Sequence, residues 1–228
     1  MSANKAPDFL RSYGRRKGRP LRPHKQHLVD ELLPQLAPPS PLPSGKDCWL
    51  EIGFGGGEHL HHIAKHYPEK HFIGAEPFLN GVAILLSQID RDPVQNLSII
   101  ADDVRPWLKA LPAGSLAGVY LLFPDPWPKR RHHNRRILNT ALLDILAHAI
   151  KPGGSLRIAT DHVDYSAWMM EHLLSHPAFT WQVKSCHDWQ EPFADWQQTR
   201  YQRKTTDQGR LPVFLEFHHI PSPLGGEG

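Results

Sequence analysis

Two cysteines in 228 residues, Cys48 and Cys186, are too few for a disulfide framework or a four-thiolate zinc site, and both are expected to stay reduced. Long apolar runs are missing as well. No stretch approaches the roughly 20 residues of a membrane span, and Met1 to Arg11 carries no apolar segment of the secretory kind, so the expected compartment is the cytoplasm. Nor is there a large surplus of charge: the formal net value is +3, with 21% charged and 40% hydrophobic residues, a globular composition that excludes a wholly disordered chain in spite of 22 prolines. No internal repeat is visible, and the length suits one sizeable core rather than two full-sized domains.

What charge there is lies unevenly. Residues 1–27 hold eight of the 26 basic residues (Lys5, Arg11, Arg15, Arg16, Lys17, Arg19, Arg22, Lys25) against the single acid Asp8, which leaves 18 basic and 22 acidic residues for the rest. A second basic run, Lys129, Arg130, Arg131, Arg135 and Arg136 with His132 and His133 between them, contains no acid. One such run reads as a solvated face; two separated ones point to a polyanion, and nucleic acid is the expected partner.

Residues 1–26 mix glycine, proline and basic residues without an apolar period and read as a flexible arm. Residues 27–47 read as a short helix, His27 to Leu36 broken at Pro34, followed by a proline-rich connector. From 48 to 220 short apolar runs alternate with amphipathic ones. Strands are expected near Cys48–Ile52, His71–Ala75, Leu97–Ala101, Ala117–Phe123, Ser155–Ala159, Trp181–Ser185 and Val213–His218. Helices are expected near Gly57–His66, Leu79–Ile89, Arg105–Leu111, Arg135–Ile150 and Val163–Leu174. That alternation specifies an α/β fold, a mostly parallel seven-stranded sheet with helices on both faces, with the tail 221–228 disordered. Such sheets bind ligands beyond the carboxyl ends of their strands.

The first of those ends reads Leu50-Glu51-Ile52-Gly53-Phe54-Gly55-Gly56-Gly57-Glu58. Its glycines, Gly53 and Gly55 foremost, let backbone approach a ligand, but the third glycine of a dinucleotide fingerprint is lacking, since position 58 is Glu58. Glu51 and Glu58 would repel a pyrophosphate and suit a cationic ligand; S-adenosylmethionine, with an ammonium, a sulfonium and no phosphate, fits. Glu76 closes the second strand, where a carboxylate can accept both ribose hydroxyls, and Asp102 with Asp103 closes the third, where one acid can accept from the adenine amino group.

The fourth loop, Phe123-Pro124-Asp125-Pro126-Trp127-Pro128-Lys129, delivers Asp125 to the carboxyl edge between prolines that stiffen it, and the basic run follows at once. An acid beside the cofactor, an aromatic that can stack and cations that can hold phosphates suit a nucleic-acid base meeting that cofactor. Residues 123–136 resemble the signature of the bacterial tRNA (guanine-N7)-methyltransferase family. Leu50-Glu51-Ile52-Gly53, Gly74-Ala75-Glu76, Thr160-Asp161 and Thr199-Arg200-Tyr201 resemble its other motifs in order and spacing, over about residues 48–217.

The resemblance implies a Rossmann-like class I methyltransferase fold and S-adenosylmethionine as methyl donor, with methylation of the variable-loop guanosine at tRNA position 46. It also implies that Glu51, Glu76 and Asp102 are cofactor acids, that Asp125 contacts the cofactor and is catalytic, and that Lys129, Asp161, Thr199, Arg200, Tyr201 and Gln202 contact the substrate. Gln202 stands where the family usually carries Glu and brings no charge. The chain is expected to act as a monomer or homodimer, gripping tRNA through residues 1–26 and 129–136, without a metal. Rival readings are an exocyclic-amine methyltransferase, for which the loop lacks a second proline after Asp125-Pro126, an RNA-binding module on the same fold, and a metal hydrolase prompted by His59, His61, His62 and His66, of which the first, third and fourth can share a helical face, and by His218-His219.

Overall fold

The computed structural model describes residues 13–14, 16, 18–185, 187–196 and 209–220. Strands β1 (Cys48–Ile52), β2 (His71–Ala75), β3 (Leu97–Ile100), β4 (Leu116–Leu122), β5 (Ile150–Thr160), β6 (Phe179–Trp181) and β7 (Val213–His219) form one sheet in the order β3-β2-β1-β4-β5-β7-β6. The first five strands are mutually parallel, and β7 runs antiparallel to both of its neighbours. Helices α1 (Pro23–Glu31), α2 (Glu58–His66), α3 (Leu79–Arg91), α4 (Val104–Ala110), α5 (Thr140–Ala149) and α6 (Val163–Leu174) supply the crossovers and the cover.

Local chemistry accounts for these bounds. β1 is buried along its whole length between β2 and β4, so it is apolar at every position but Glu51. In α3 the buried Val82, Leu85, Leu86 and Ile89 recur at helical spacing, and α6 buries Tyr165, Met169 and Leu173 likewise. Asp103 caps α4 by accepting the Arg105 N–H at 3.0 Å, and Asn139 caps α5 by accepting that of Leu142 at 3.0 Å.

Three expected elements are displaced, and the fifth strand starts at Ile150 instead of Ser155. The helix after the fourth loop starts at Thr140 instead of Arg135, because residues 130–135 form a 3-10 turn and Asn139 supplies the cap. The sixth strand is Phe179–Trp181 instead of Trp181–Ser185, because the Asp188 carboxylate takes the backbone N–H groups of Lys184 (2.5 Å) and Ser185 (3.0 Å) away from any ladder. The first helix begins at Pro23, whose missing N–H costs nothing at that position, and ends at Glu31; residues Leu33–Leu36 form a separate 3-10 turn.

The two sheet faces differ. On one, Leu50, Ile52, Val119, Leu121, Leu156 and Ile158 pack against Leu142, Leu146, Tyr165 and Met169 in an apolar core. On the other, Trp49, Phe72 and Phe214 pack with α1, α2 and α3, but a polar row crosses between them. Register places Glu51 opposite Tyr120, Tyr120 opposite Arg157, and Arg157 opposite Glu216, so β1, β4, β5 and β7 contribute one member each.

Candidate active site

The order of the strands reverses between β1 and β4, and the loops leaving these two strands part to either side. There lies a cavity of about 420 Å³, walled by Ile52, Gly53, Glu76, Phe78, Leu121, Phe123, Asp125, Trp127 and Arg135 among others. Its size falls within the roughly 300–1,000 Å³ of small-molecule sites.

The glycine turn forms one wall. Gly53 and Gly55 adopt left-handed φ of 75° and 56°, which a side chain rarely tolerates. Glu76 holds this turn from the end of β2: one carboxylate oxygen accepts the Gly55 N–H and the other the Phe78 N–H, both at 2.8 Å. Burial pushes the Glu76 carboxyl above its ordinary range; the two N–H groups work against that rise, and the charges of Asp125 and Glu51 add to it.

The opposite wall is the loop after β4. Phe123 and Trp127 bracket Pro124-Asp125-Pro126 and both sit at positive φ, 49° and 43°, a strain on the order of 1–3 kcal/mol each for non-glycine residues. Asp125 is exposed into the cavity mouth. Arg135 lies with its guanidinium 5.0 Å from the Trp127 ring and 5.1 Å from that of Tyr13, so the residues just before α1 reach the same cavity. Lys129, Arg130 and Arg131 are exposed beside it. Partial desolvation, followed by the charges of Arg135, Arg131 and Lys129, holds His132 below the ordinary imidazole range.

Of the residues singled out from sequence, Gly53, Glu76 and Asp125 meet in this cavity. Gly55 stands behind the turn on Glu76. Glu51 lies in the polar row, 3% exposed, with Oε2 2.8 Å from His59 Nδ1. Asp102 is exposed and accepts from Arg16 Nη2 at 2.6 Å, while its neighbour Asp103 is engaged by the buried Arg105, which lines the cavity. Asp161 is buried after β5 and pairs with Arg210 Nη1 at 3.0 Å. Thr199, Arg200, Tyr201 and Gln202 lie outside the described residues, as do Cys186 and most of the first twenty residues. His59 is buried against Glu51 and Tyr120, whereas His62 stacks on His66 at 3.9 Å. Among the described residues no cluster of three or more His, Cys, Asp or Glu side chains could hold a metal, and no helix is long and apolar enough to cross a membrane.

Sequence reasoning missed two features. Arg136, counted there with the phosphate cations, is 2% exposed and turned inward. The polar row was also unseen: Arg157 donates from Nε to Glu216 (2.9 Å) and from Nη1 to Asp195 (2.7 Å) and the Tyr120 hydroxyl (3.1 Å), and Tyr120 donates to Asp195. The shared two-residue phase of Glu51, Tyr120, Arg157 and Glu216 with apolar neighbours was the available signal. Burial opposes the charge on Arg157, but Tyr120, Asp195 and Glu216 more than restore it, and its pKa is raised.

Residues 46–214 match the family model described as a putative methyltransferase. Two solved structures share the fold: the 16S rRNA methyltransferase KamB (TM-score 0.52, 14% identity, 85% of this chain and 93% of that one), and a SAM-dependent O-methyltransferase from Thermotoga maritima (TM-score 0.51, 12% identity, 90% and 68%). The class follows from the family model and the shared fold together: a Rossmann-like class I methyltransferase, with which the strand order and the switch-point cavity agree. Sequence narrows it. The tRNA (guanine-N(7)-)-methyltransferase of Rhodospirillum rubrum is 45% identical over 95% of this chain and 91% of its own length, and that of Brucella abortus is 43% identical over 90% and 93%. The chain belongs to the tRNA (guanine-N7)-methyltransferase family.

Proposed function

We propose that this chain transfers the methyl group of S-adenosylmethionine to N7 of the variable-loop guanosine at position 46 of tRNA, in the cytoplasm. One observation carries the reading most directly: the loop after β4 brings Asp125 into the cavity that Gly53 and Glu76 also line, and a basic run leaves from its mouth. The family relationship supports the same reaction.

The cavity suits the cofactor chemically. Its carboxylates favour a phosphate-free cation, its left-handed glycine leaves room beside β1, and Ile52, Leu121 and Phe123 offer apolar contact. When bound, S-adenosylmethionine supplies an electrophilic methyl on a sulfonium. Glu76 would accept the ribose hydroxyls with lone pairs left over from its two backbone partners, Asp102 the adenine amino group, and Glu51, Gly53 and Gly55 would shape the remaining turn. Guanine N7 carries a lone pair and no proton, so the chain needs no general base. Asp125 holds the guanine edge and favours the positive charge that develops on the purine. Position then dominates, an effect worth on the order of 7–11 kcal/mol when reacting atoms are held at near-attack distance.

Lys129, Asp161 and residues Thr199 to Gln202 contact the RNA, and the cations of residues 1–26 and 129–136, apart from the inward-turned Arg136, hold its phosphates. This assigns residues 1–26 as a basic arm whose last four residues open α1, 27–47 as the rest of that helix and the connector, 48–220 as the methyltransferase domain and 221–228 as a tail.

The experiment is methyl transfer from labelled S-adenosylmethionine to unmodified tRNA, with the product nucleoside identified and a control tRNA carrying adenosine in place of the variable-loop guanosine. N7-methylguanosine that disappears in the control is the expected result. Another methylated nucleoside, or label that persists in the control, rejects the assignment.

A further inference from the structure

Arg136 ends a run of cations of which Lys129, Arg130 and Arg131 face solvent, yet it is among the largest fully buried side chains of the described protein. Its Nε donates to the Pro126 carbonyl oxygen at 2.9 Å, and its Nη2 pairs with the half-exposed Asp164 carboxylate in the first turn of α6. The guanidinium centre lies 4.9 Å from the Tyr165 ring and 5.1 Å from that of Trp168. Those rings are themselves fixed on Leu138, whose N–H donates to the Tyr165 hydroxyl at 3.3 Å and whose carbonyl accepts from Trp168 Nε1 at 2.9 Å. A planar guanidinium can meet a carbonyl, a carboxylate and two rings together; an ammonium on a flexible stem cannot. So engaged, Arg136 is not presented to a phosphate.

Its carbonyl partner is the informative contact. Pro126 directly follows Asp125, and the segment around them is bracketed by the left-handed Phe123 and Trp127. A loop in that conformation persists only where surrounding contacts over-determine it. Arg136 reaches across from the far end of the same loop to grip its middle, and its other end is on α6, which begins two residues after Asp161. One guanidinium thus ties the loop bearing Asp125 to the element that follows Asp161.

We propose that Arg136 is a positioning residue for methyl transfer: through the Pro126 carbonyl it holds Asp125 at the reacting edge and fixes the spacing between the Asp125 and Asp161 loops. The inference rests on the role given to Asp125 above.

The test is a double-variant cycle on the full chain. Single-turnover methyl transfer to unmodified tRNA is measured with enzyme in excess over radiolabelled cofactor, alongside cofactor affinity by titration. Arg136→Lys is expected to lower the rate on the order of 10²-fold, the cost of a misplacement of about 1 Å, with cofactor affinity changed by less than about threefold. Combining it with Asp125→Asn is expected to slow the reaction no further than Asp125→Asn alone, because both act at one point. Factors that multiply, an Arg136→Lys rate equal to wild type, or affinity that falls in step with rate would each overturn the inference. Asp125→Asn at the wild-type rate is a separate outcome, seen before Arg136 is touched; it removes the role of Asp125 and the inference with it. Should Arg136→Lys fail to fold by near-ultraviolet circular dichroism, Asp164→Asn takes its place in the cycle. That variant keeps the guanidinium on Pro126, and the expected loss is about fivefold with the same non-additivity.

Discussion

The two faces of the sheet are held by different physics. Against α5 and α6 the contacts are apolar and interchangeable in kind, Leu142, Leu146 and Met169 meeting Leu121, Leu156 and Ile158. Beneath α2 and residues 193–196 the row from Glu51 to Glu216 works by partner satisfaction: Arg157 serves two carboxylates and a hydroxyl while lying 5.0 Å from the Trp49 ring and 5.6 Å from that of Phe193. The lesson concerns failure. Damage to the first face should scale with the volume removed, whereas damage to the second should depend on which charges are left alone.

The largest expected effect probes the second face. Arg157→Ala leaves Asp195 and Glu216 without their cation and should cost about 3–5 kcal/mol in urea unfolding. Adding Asp195→Ala should cost less than the sum of the two single changes; strict additivity would mean that the row is not one unit. Next comes the first face, where Leu146→Ala, at a fully buried site on α5, should cost about 3 kcal/mol and add to a second truncation on α6 beyond contact range. Coupling as strong as that of the row would erase the distinction.

The smallest effect sharpens it. Glu76 is buried like the row, yet it is met by the backbone N–H groups of Gly55 and Phe78 in place of a cation's side chain, and burial raises its pKa. The folded state therefore binds this proton more tightly than the unfolded chain. Protonation contributes stability that is fully present below the unfolded pKa and is lost as pH rises through the folded value. The thermal midpoint of the wild type relative to Glu76→Gln should accordingly rise as pH falls from neutrality toward the ordinary carboxyl range. An unchanged difference across that window would show that Glu76 is as well compensated as the row.

The sheet was legible in the sequence where an apolar run ends on a residue that cannot continue it. Gly53 after Ile52 and Pro77 after Glu76 set the ends of β1 and β2 where expected. Legibility failed where a side chain captured backbone, as Asp188 does after β6, because such a capture competes locally with a ladder that periodicity alone describes. The site divides in the same way. Gly53, Glu76 and Asp125 could be placed together since each ends a strand of one parallel sheet. Arg136 could not: a cation followed by Ile137 and Leu138 looks the same in sequence whether its guanidinium faces phosphate or two aromatic rings. Nor could the row, since its members are scattered between positions 51 and 216 and become neighbours only through strand register.

Gly81, in the first turn of α3, lies so close to the glycine turn that a Cβ there would sit 2.3 Å from the Gly55 carbonyl oxygen. The shape of the cofactor loop is thus set partly by a helix 26 positions further along the chain. For anyone grafting this turn onto another sheet, the transferable unit is not the pentapeptide but the turn together with Glu76 and the start of α3; moved alone, it would arrive without the surface that gives it its form.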